Sequence, residues 1–97
     1  MVEFTEEPGK LVCTFNGRLD TVSCMGFQDL VCNRIEGSVL AIVFDLQGVD
    51  YVSSMFLRLC VLAGKAVGSG RFSIVHVNPP VKKVFKIAGF DQYMSIE

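Results

Sequence analysis

The sequence lacks what most specialised chains show first. No uncharged apolar run approaches the ~18 residues a membrane-spanning helix needs, so membrane insertion is not expected. With three prolines, 51% hydrophobic residues and 20% charged ones, the composition excludes disordered, collagenous and low-complexity chains. The formal net charge is only −1, which leaves no global footprint for nucleic acid or an acidic membrane surface. None of the cysteines, Cys13, Cys24, Cys32 and Cys60, has CxxC spacing, and His76 is the single histidine. Neither a local zinc pattern nor a disulfide framework results, so no metal and no cofactor is expected. The opening residues MVEFTEEPGK are acidic where a signal peptide is basic and then apolar. A cytoplasmic domain with four reduced, buried thiols is the expectation.

What is present suits one compact domain. Ninety-seven residues lie at the usual size of a single domain, about 100 residues, and such a chain buries roughly two-thirds of its unfolded surface. Charge is unevenly placed, with three basic against eight acidic residues in 1–50 and six against two in 51–97. Much of the basic half is Lys82, Lys83 and Lys86 on one short helix. These lack the arginines and interleaved aromatics of a nucleic-acid stripe and read as a solvated face.

Periodicity supplies the elements. Val2 and Phe4 alternate with Glu3 and Thr5, Pro8-Gly9 turns the chain, and Leu11–Asn16 returns as a second strand. Asp20 or Thr21 can cap a helix whose Cys24, Phe27, Val31 and Ile35 form a buried stripe closed at Gly37. The six apolar residues Val39–Phe44 predict a central strand, and 45–54 a connecting loop. A helix follows from Ser54 to Val67, with Ser54, Arg58 and Lys65 on its polar stripe and Gly68-Ser69-Gly70 as its terminal turn. Arg71–Val77 is a further strand, and Asn78-Pro79 opens a helix with Val81, Val84, Phe85 and Ala88 inward. Tyr93–Ile96 adds a last short strand. The order ββαβαβαβ implies an α/β domain, with a mostly parallel sheet, an N-terminal hairpin and right-handed crossovers.

The residues that carry chemistry are few. Ser54 stands where a loop becomes a helix, so its hydroxyl can serve as an N-cap. It can equally serve as a modification site, because a phosphoryl group there meets the positive end of the helix dipole. A catalytic reading would need His76 with Asp45 or Asp20, yet no G-x-S-x-G elbow surrounds either serine. The loops 17–21 and 45–54 should both emerge at carboxyl ends of strands, where open α/β sheets place their sites, making Asp20 and Ser54 neighbours.

At this point the chain resembles a known family. The run from Asp45 to Arg58, DLQGVDYVSSMFLR, is similar to the D-L-x-x-V-x-[FY]-[IV]-[DS]-S-x-G-L-R signature of the sulfate transporter and anti-sigma factor antagonist (STAS) domain. Gly17-Arg18-Leu19-Asp20 resembles its G-x-L-D element. Val75–Val81 resembles its strand-to-helix passage, and Val84–Asp91 its V-F-x-[IL]-[ST]-G-[FL]-D element. The likeness spans nearly the whole chain and resembles the bacterial anti-sigma factor antagonists best. It implies a single STAS domain over 1–97 that stops before the C-terminal helix usual in the family.

The resemblance also implies a mechanism. An unphosphorylated antagonist binds an anti-sigma factor that is a serine kinase, phosphorylation ejects it, and a PP2C-type phosphatase resets it. Ser54 takes the phosphorylated position, Ser53 the one before it, and Asp20 the family's aspartate near that serine. The implied partner surface is Asp20, Ser53, Ser54, Met55, Phe56 and Arg58, without catalysis, nucleic acid or membrane insertion, and with room for a weak homodimer. Met55-Phe56 stands where the family has a small residue and glycine, so Phe56 either fills that space or projects apolar surface. The alternative is a STAS subunit that docks unphosphorylated on a transporter or signalling scaffold, anchored by Met55 and Phe56.

Overall fold

A computed structural model of the chain describes residues 2–36, 40–68, 70–92 and 95–97. The expected helix end at Gly37, the strand start at Val39, Ser69 of the glycine turn and the Tyr93-Met94 start of the last strand lie outside these. The elements are β1 (Val2–Glu7), β2 (Lys10–Leu19), α1 (Thr21–Ile35), β3 (Ala41–Val52), α2 (Ser54–Val67), β4 (Phe72–Val75), α3 (Pro79–Ile87), a 3-10 turn (Phe90–Gln92) and β5 (Ser95–Ile96). The α/β expectation and the order ββαβαβαβ hold.

β1 and β2 form the predicted antiparallel hairpin, with Val2 opposite Phe15 and Glu7 opposite Lys10. Its turn requires Gly9, whose φ of +80° disfavours a side chain. The remaining strands pair in parallel, in the sheet order β1-β2-β3-β4-β5. Each crossover therefore steps one strand in the same direction, and right-handed connections then lay their helices on one face. Burial follows that rule. Leu11, Cys13, Phe15, Ile42, Phe44, Phe72 and Ile74 are buried, whereas Val12, Thr14, Val43, Asp45, Ser73 and Val75 on the other face are only half-buried. The aromatic centre of the core is Phe15, whose ring lies 5.4 Å from Phe27, 4.9 Å from Phe44 and 5.1 Å from Phe56.

The expected loop at 45–54 is strand as far as Val52. β3 continues beside β2 to pair Leu19 with Val52, but the register shifts between Thr14 and Asn16 and again between Gly17 and Arg18. At each shift β3 carries one extra residue, which is a bulge. Inward positions therefore recur every third residue, at Leu46, Val49 and Val52, all buried, and the period of two that marks a strand disappears. A Cβ at Gly48 would run into the end of the Asn16 side chain, which would have to turn away from the first bulge.

β4 ends at Val75, which leaves the later half of β3 without a strand on that side among the described residues. The Asn78 side chain fills the gap, donating to the Val49 carbonyl at 2.7 Å and the Gln47 carbonyl at 3.3 Å. Asn78 is thus the N-cap residue of α3 by position, but makes no side-chain cap bond there. Of the four residues predicted to face inward from α3, only Val81 and Phe85 are buried. Val84 is partly exposed, and Ala88 is exposed because the helix has ended before it. Lys82, Lys83 and Lys86 are exposed. All four cysteines are free, but Cys32 is half-buried rather than a core thiol, while Cys13, Cys24 and Cys60 are buried.

Candidate functional site

The pairing of Leu19 with Val52 sets the carboxyl ends of β2 and β3 side by side, so α1 and α2 begin next to one another. The Ser53 N–H donates to the Leu19 carbonyl at 2.9 Å and ties the two junctions together. At the first junction Asp20 is extended, with φ −81° and ψ 178°, and its carboxylate accepts from the Ser23 N–H at 2.9 Å. That backbone N–H, then the Ser23 hydroxyl, hold the Asp20 carboxyl below its ordinary value against a small effect of burial, with Arg18 assisting. Asp20 is therefore the cap and an anion at neutral pH, as expected of a carboxylate at a helix N-terminus.

At the second junction the cap is Ser53, not Ser54. Ser53 is extended, with φ −96° and ψ 169°, and its Oγ accepts from the Phe56 N–H at 3.4 Å. Its hydroxyl also lies 3.9 Å from Cys24 Sγ, which in turn donates to the Leu19 carbonyl at 3.9 Å. One thiol proton serves one acceptor, so the order is Ser53 O–H to Cys24 S–H to Leu19 C=O. Burial raises the Cys24 pKa, keeping the thiol in the donating form. This relay fills the space beneath the two helix starts.

Ser54 is then the first residue of α2 and is exposed. Two helices, of 15 and 14 residues, direct their N-terminal ends toward this corner, each with the equivalent of roughly half a positive charge. Met55 is half-buried and Arg58 exposed. Two residues of the sequence-derived surface are not on it. Ser53 is 8% exposed, its hydroxyl spent on the cap and on Cys24, and Phe56 is 0% exposed. The Phe56 ring packs edge-on against Phe15 and 6.0 Å from Phe44, because its backbone position turns it onto the inward stripe with Leu59, Cys60, Ala63 and Val67. Phe56 fills the space a glycine would leave, inside the core. Pattern alone contained that signal: Ser54, Arg58 and Lys65 mark the outer side of α2, and Phe56 lies about 200° around from Ser54 at ~100° per residue.

Sequence reasoning missed one feature beside the site. The Arg18 guanidinium lies 3.9 Å over the Tyr51 ring, where the second bulge sets Arg18 against Tyr51. Such an exposed cation–π contact contributes about 0.5–1 kcal/mol. His76 and Asp45 do pair, with Nδ1 3.1 Å from Oδ1. They sit beside the end of β4, and the strand from Asp45 to Val52 carries the chain roughly 20 Å onward, so no Ser-His-Asp set assembles around Ser54. Gly68, with φ +83°, ends α2 by donating its N–H to Gly64 at 3.0 Å, the turn role expected of it. Among the described residues no group of His, Cys, Asp or Glu side chains could hold a metal ion, and no helix is long and apolar enough to cross a membrane. A groove of about 900 Å³ at the far end of α2 is lined by Val61, Lys65, Arg71, Phe72 and Phe90 among others, and by none of the site residues.

Comparison with known proteins agrees with this architecture. The model of the STAS domain family matches residues 1–97. A protein of Bordetella bronchiseptica, provisionally named anti-sigma factor antagonist BtrV, is 26% identical over 84 residues, covering 84% of this chain and 72% of its own. The fold is similar to that of the anti-sigma factor antagonist SpoIIAA in its unphosphorylated form, with a TM-score of 0.82 at 17% identity over 100% of this chain and 88% of that one. The phosphorylated form of SpoIIAA, a Bacillus cell fate determinant, superposes with a TM-score of 0.75 at 16% identity, covering 100% and 91%.

Proposed function

This chain belongs to the STAS domain family, and on that premise we propose that it is an anti-sigma factor antagonist working by partner switching. Unphosphorylated, it binds an anti-sigma factor that is also a serine kinase. Phosphorylation of Ser54 releases it, and a PP2C-type phosphatase restores it. The observation that carries the reading is the division of labour between adjacent serines. Ser53 does the capping from inside, so the exposed Ser54 hydroxyl is free of that duty at the positive end of a 14-residue helix.

A phosphoryl group on Ser54 adds about −1.5 to −2 charges. The helix start accommodates them in the free protein, but a partner covering that corner must take them out of water. Stranding such a charge in an interface costs on the order of 2–5 kcal/mol, equivalent to a roughly thirty-fold to several-thousand-fold loss of affinity. No refolding is required. The likeness to SpoIIAA in both its unphosphorylated and phosphorylated forms supports a charge switch on a constant fold. Asp20, Ser54, Met55 and Arg58 compose the contact surface. The alternative of a constitutive docking subunit anchored by Met55 and Phe56 is less favoured, since Phe56 is inside.

The test is the intact mass of wild type and Ser54→Ala after incubation with ATP and the anti-sigma serine kinases of the same organism. One phosphoryl group on wild type alone, with loss of kinase affinity, is expected. A kinase that binds the protein yet phosphorylates neither form would refute the switch.

A further inference from the structure

α1 and α2 both begin at the corner that holds Asp20 and Ser54, and they pack against each other. Near their far ends a hollow of about 330 Å³ opens between them, lined by Cys32, Ile35 and the cap residue Glu36 of α1 and by Leu62 and Ala66 of α2. That hollow shows which flank of each helix faces the other. Positions seven apart return to within about 20° of one another at ~100° per residue. Met25 therefore lies two turns above Cys32, and Met55 two turns above Leu62. Met25 is 67% and Leu62 37% exposed, while Cys32 and Met55 are half-buried. The two flanks form an apolar groove that starts at the Ser54 corner and runs about 16 Å, at ~1.5 Å per residue, from Met55 down to Ala66.

The rims of this groove carry opposite charge. Asp29 and Glu36 stand on the α1 side, where burial first, and then these two carboxylates, push the Cys32 pKa up. Arg34, the one basic residue of α1, is turned away to the Glu6 carboxylate and the Phe4 ring of β1. Arg58 and Lys65 stand on the α2 side in one stripe with Ser54, and all three are exposed. Among the described residues no ion pair joins the two rims. An apolar floor between an acidic and a basic rim complements an amphipathic helix that has a basic and an acidic flank. A methionine from each helix at the corner end suits such a ligand, because the flexible thioether adapts to what it meets.

We propose that this groove seats an amphipathic helix of the anti-sigma factor kinase, its basic flank against Asp29 and Glu36 and its acidic flank against Arg58 and Lys65. The inference rests on the partner-switching function. About three turns of helix, at ~5.4 Å each, span the groove. Ser54 ends its basic rim. A phosphoryl group there sets negative charge in line with Arg58 and Lys65, opposite the acidic flank of the docked helix, and like charges facing one another across an interface repel.

Cys32, a free and half-buried thiol, is a native probe of the groove. Its labelling by iodoacetamide, followed by peptide mass mapping, should slow about tenfold when roughly nine-tenths of the chain is bound to its kinase. Asp29→Lys reverses a charge on the acidic rim and should weaken kinase binding about tenfold or more. Glu3→Lys, the same change on β1, should leave binding unchanged. Thermal melts establish that Asp29→Lys folds, and Cys32 protection decides alone if it does not. A kinase that binds and phosphorylates Ser54 while Cys32 labels at its free rate overturns the groove and leaves the switch standing. Wild type that no anti-sigma kinase of its organism binds overturns both. Protection of Cys32 by rising concentration of the chain itself, with none added by the kinase, would put a second copy in the groove and overturn the proposal too.

Discussion

Truncating Phe56 separates the inward role of that ring from the docking role its position suggests. Its side chain is fully buried, with ring centroids 5.1 Å from Phe15 and 6.0 Å from Phe44. Replacing a buried phenylalanine by alanine removes the transfer energy of the ring and leaves a cavity, together about 3–5 kcal/mol, within which the edge-on aromatic pair contributes about 0.5–1.5 kcal/mol. A domain of this size holds only about 5–15 kcal/mol in all. Phe56→Ala should therefore lower Tm by about 15 °C or more and move the urea midpoint down by roughly 2–3 M. Phe56→Met keeps most of the volume and should lose less than half as much. Partner affinity, measured below the melting transition, should change far less than stability does. A Phe56→Ala protein that melts within a few degrees of wild type but loses its partner would refute the reasoning, because the ring would have to lie outside.

Ser53→Ala removes a buried helix cap and the hydroxyl that Cys24 contacts, and should cost about 1–2 kcal/mol in urea unfolding. Ser54→Ala, at an exposed non-capping position, should change stability by less than about 0.5 kcal/mol. The lowered Asp20 pKa makes its capping bond a source of stability above the unfolded value near 3.8 that is lost as pH falls through the folded one. Melts between pH 5 and 2 should accordingly show a steeper acid decline for wild type than for Asp20→Asn, which keeps a cap without the titration. Burial raises the Cys13 pKa to about 12 and pushes up that of Cys60, whereas Cys32 is only half-buried. Iodoacetamide followed by peptide mass mapping should label Cys32 first, and the other three thiols only under denaturant.

The legible parts of the chain were those with an unbroken period. Cys24, Phe27, Val31 and Ile35 sit on one helical stripe in the sequence, and those four are the buried residues of α1. The hairpin turn, the alternation of helices and strands and the two junctions near Asp20 and Ser54 were readable for the same reason. The second half of β3 was not, because its two bulges reset the alternation twice and present Leu46, Val49 and Val52 at a spacing that suits neither strand nor regular helix. Asn78 read as a cap because local pattern cannot show that β4 stops early and leaves the carbonyls of Gln47 and Val49 to be met.

Local composition and period thus determined the class, the order of elements and the neighbourhood of the site, since these depend on which residues recur at 2.0 or 3.6 along one chain. The identity of the capping serine, the inward turn of Phe56 and the relay from Ser53 through Cys24 to Leu19 were decided only by tertiary structure. Each depends on which residues the register of β2 against β3 brings opposite one another, and two bulges set that register by contacts between segments more than thirty residues apart. One position along the chain separates the serine held inside from the serine offered to solvent, and it is the packed junction of two helices that assigns them.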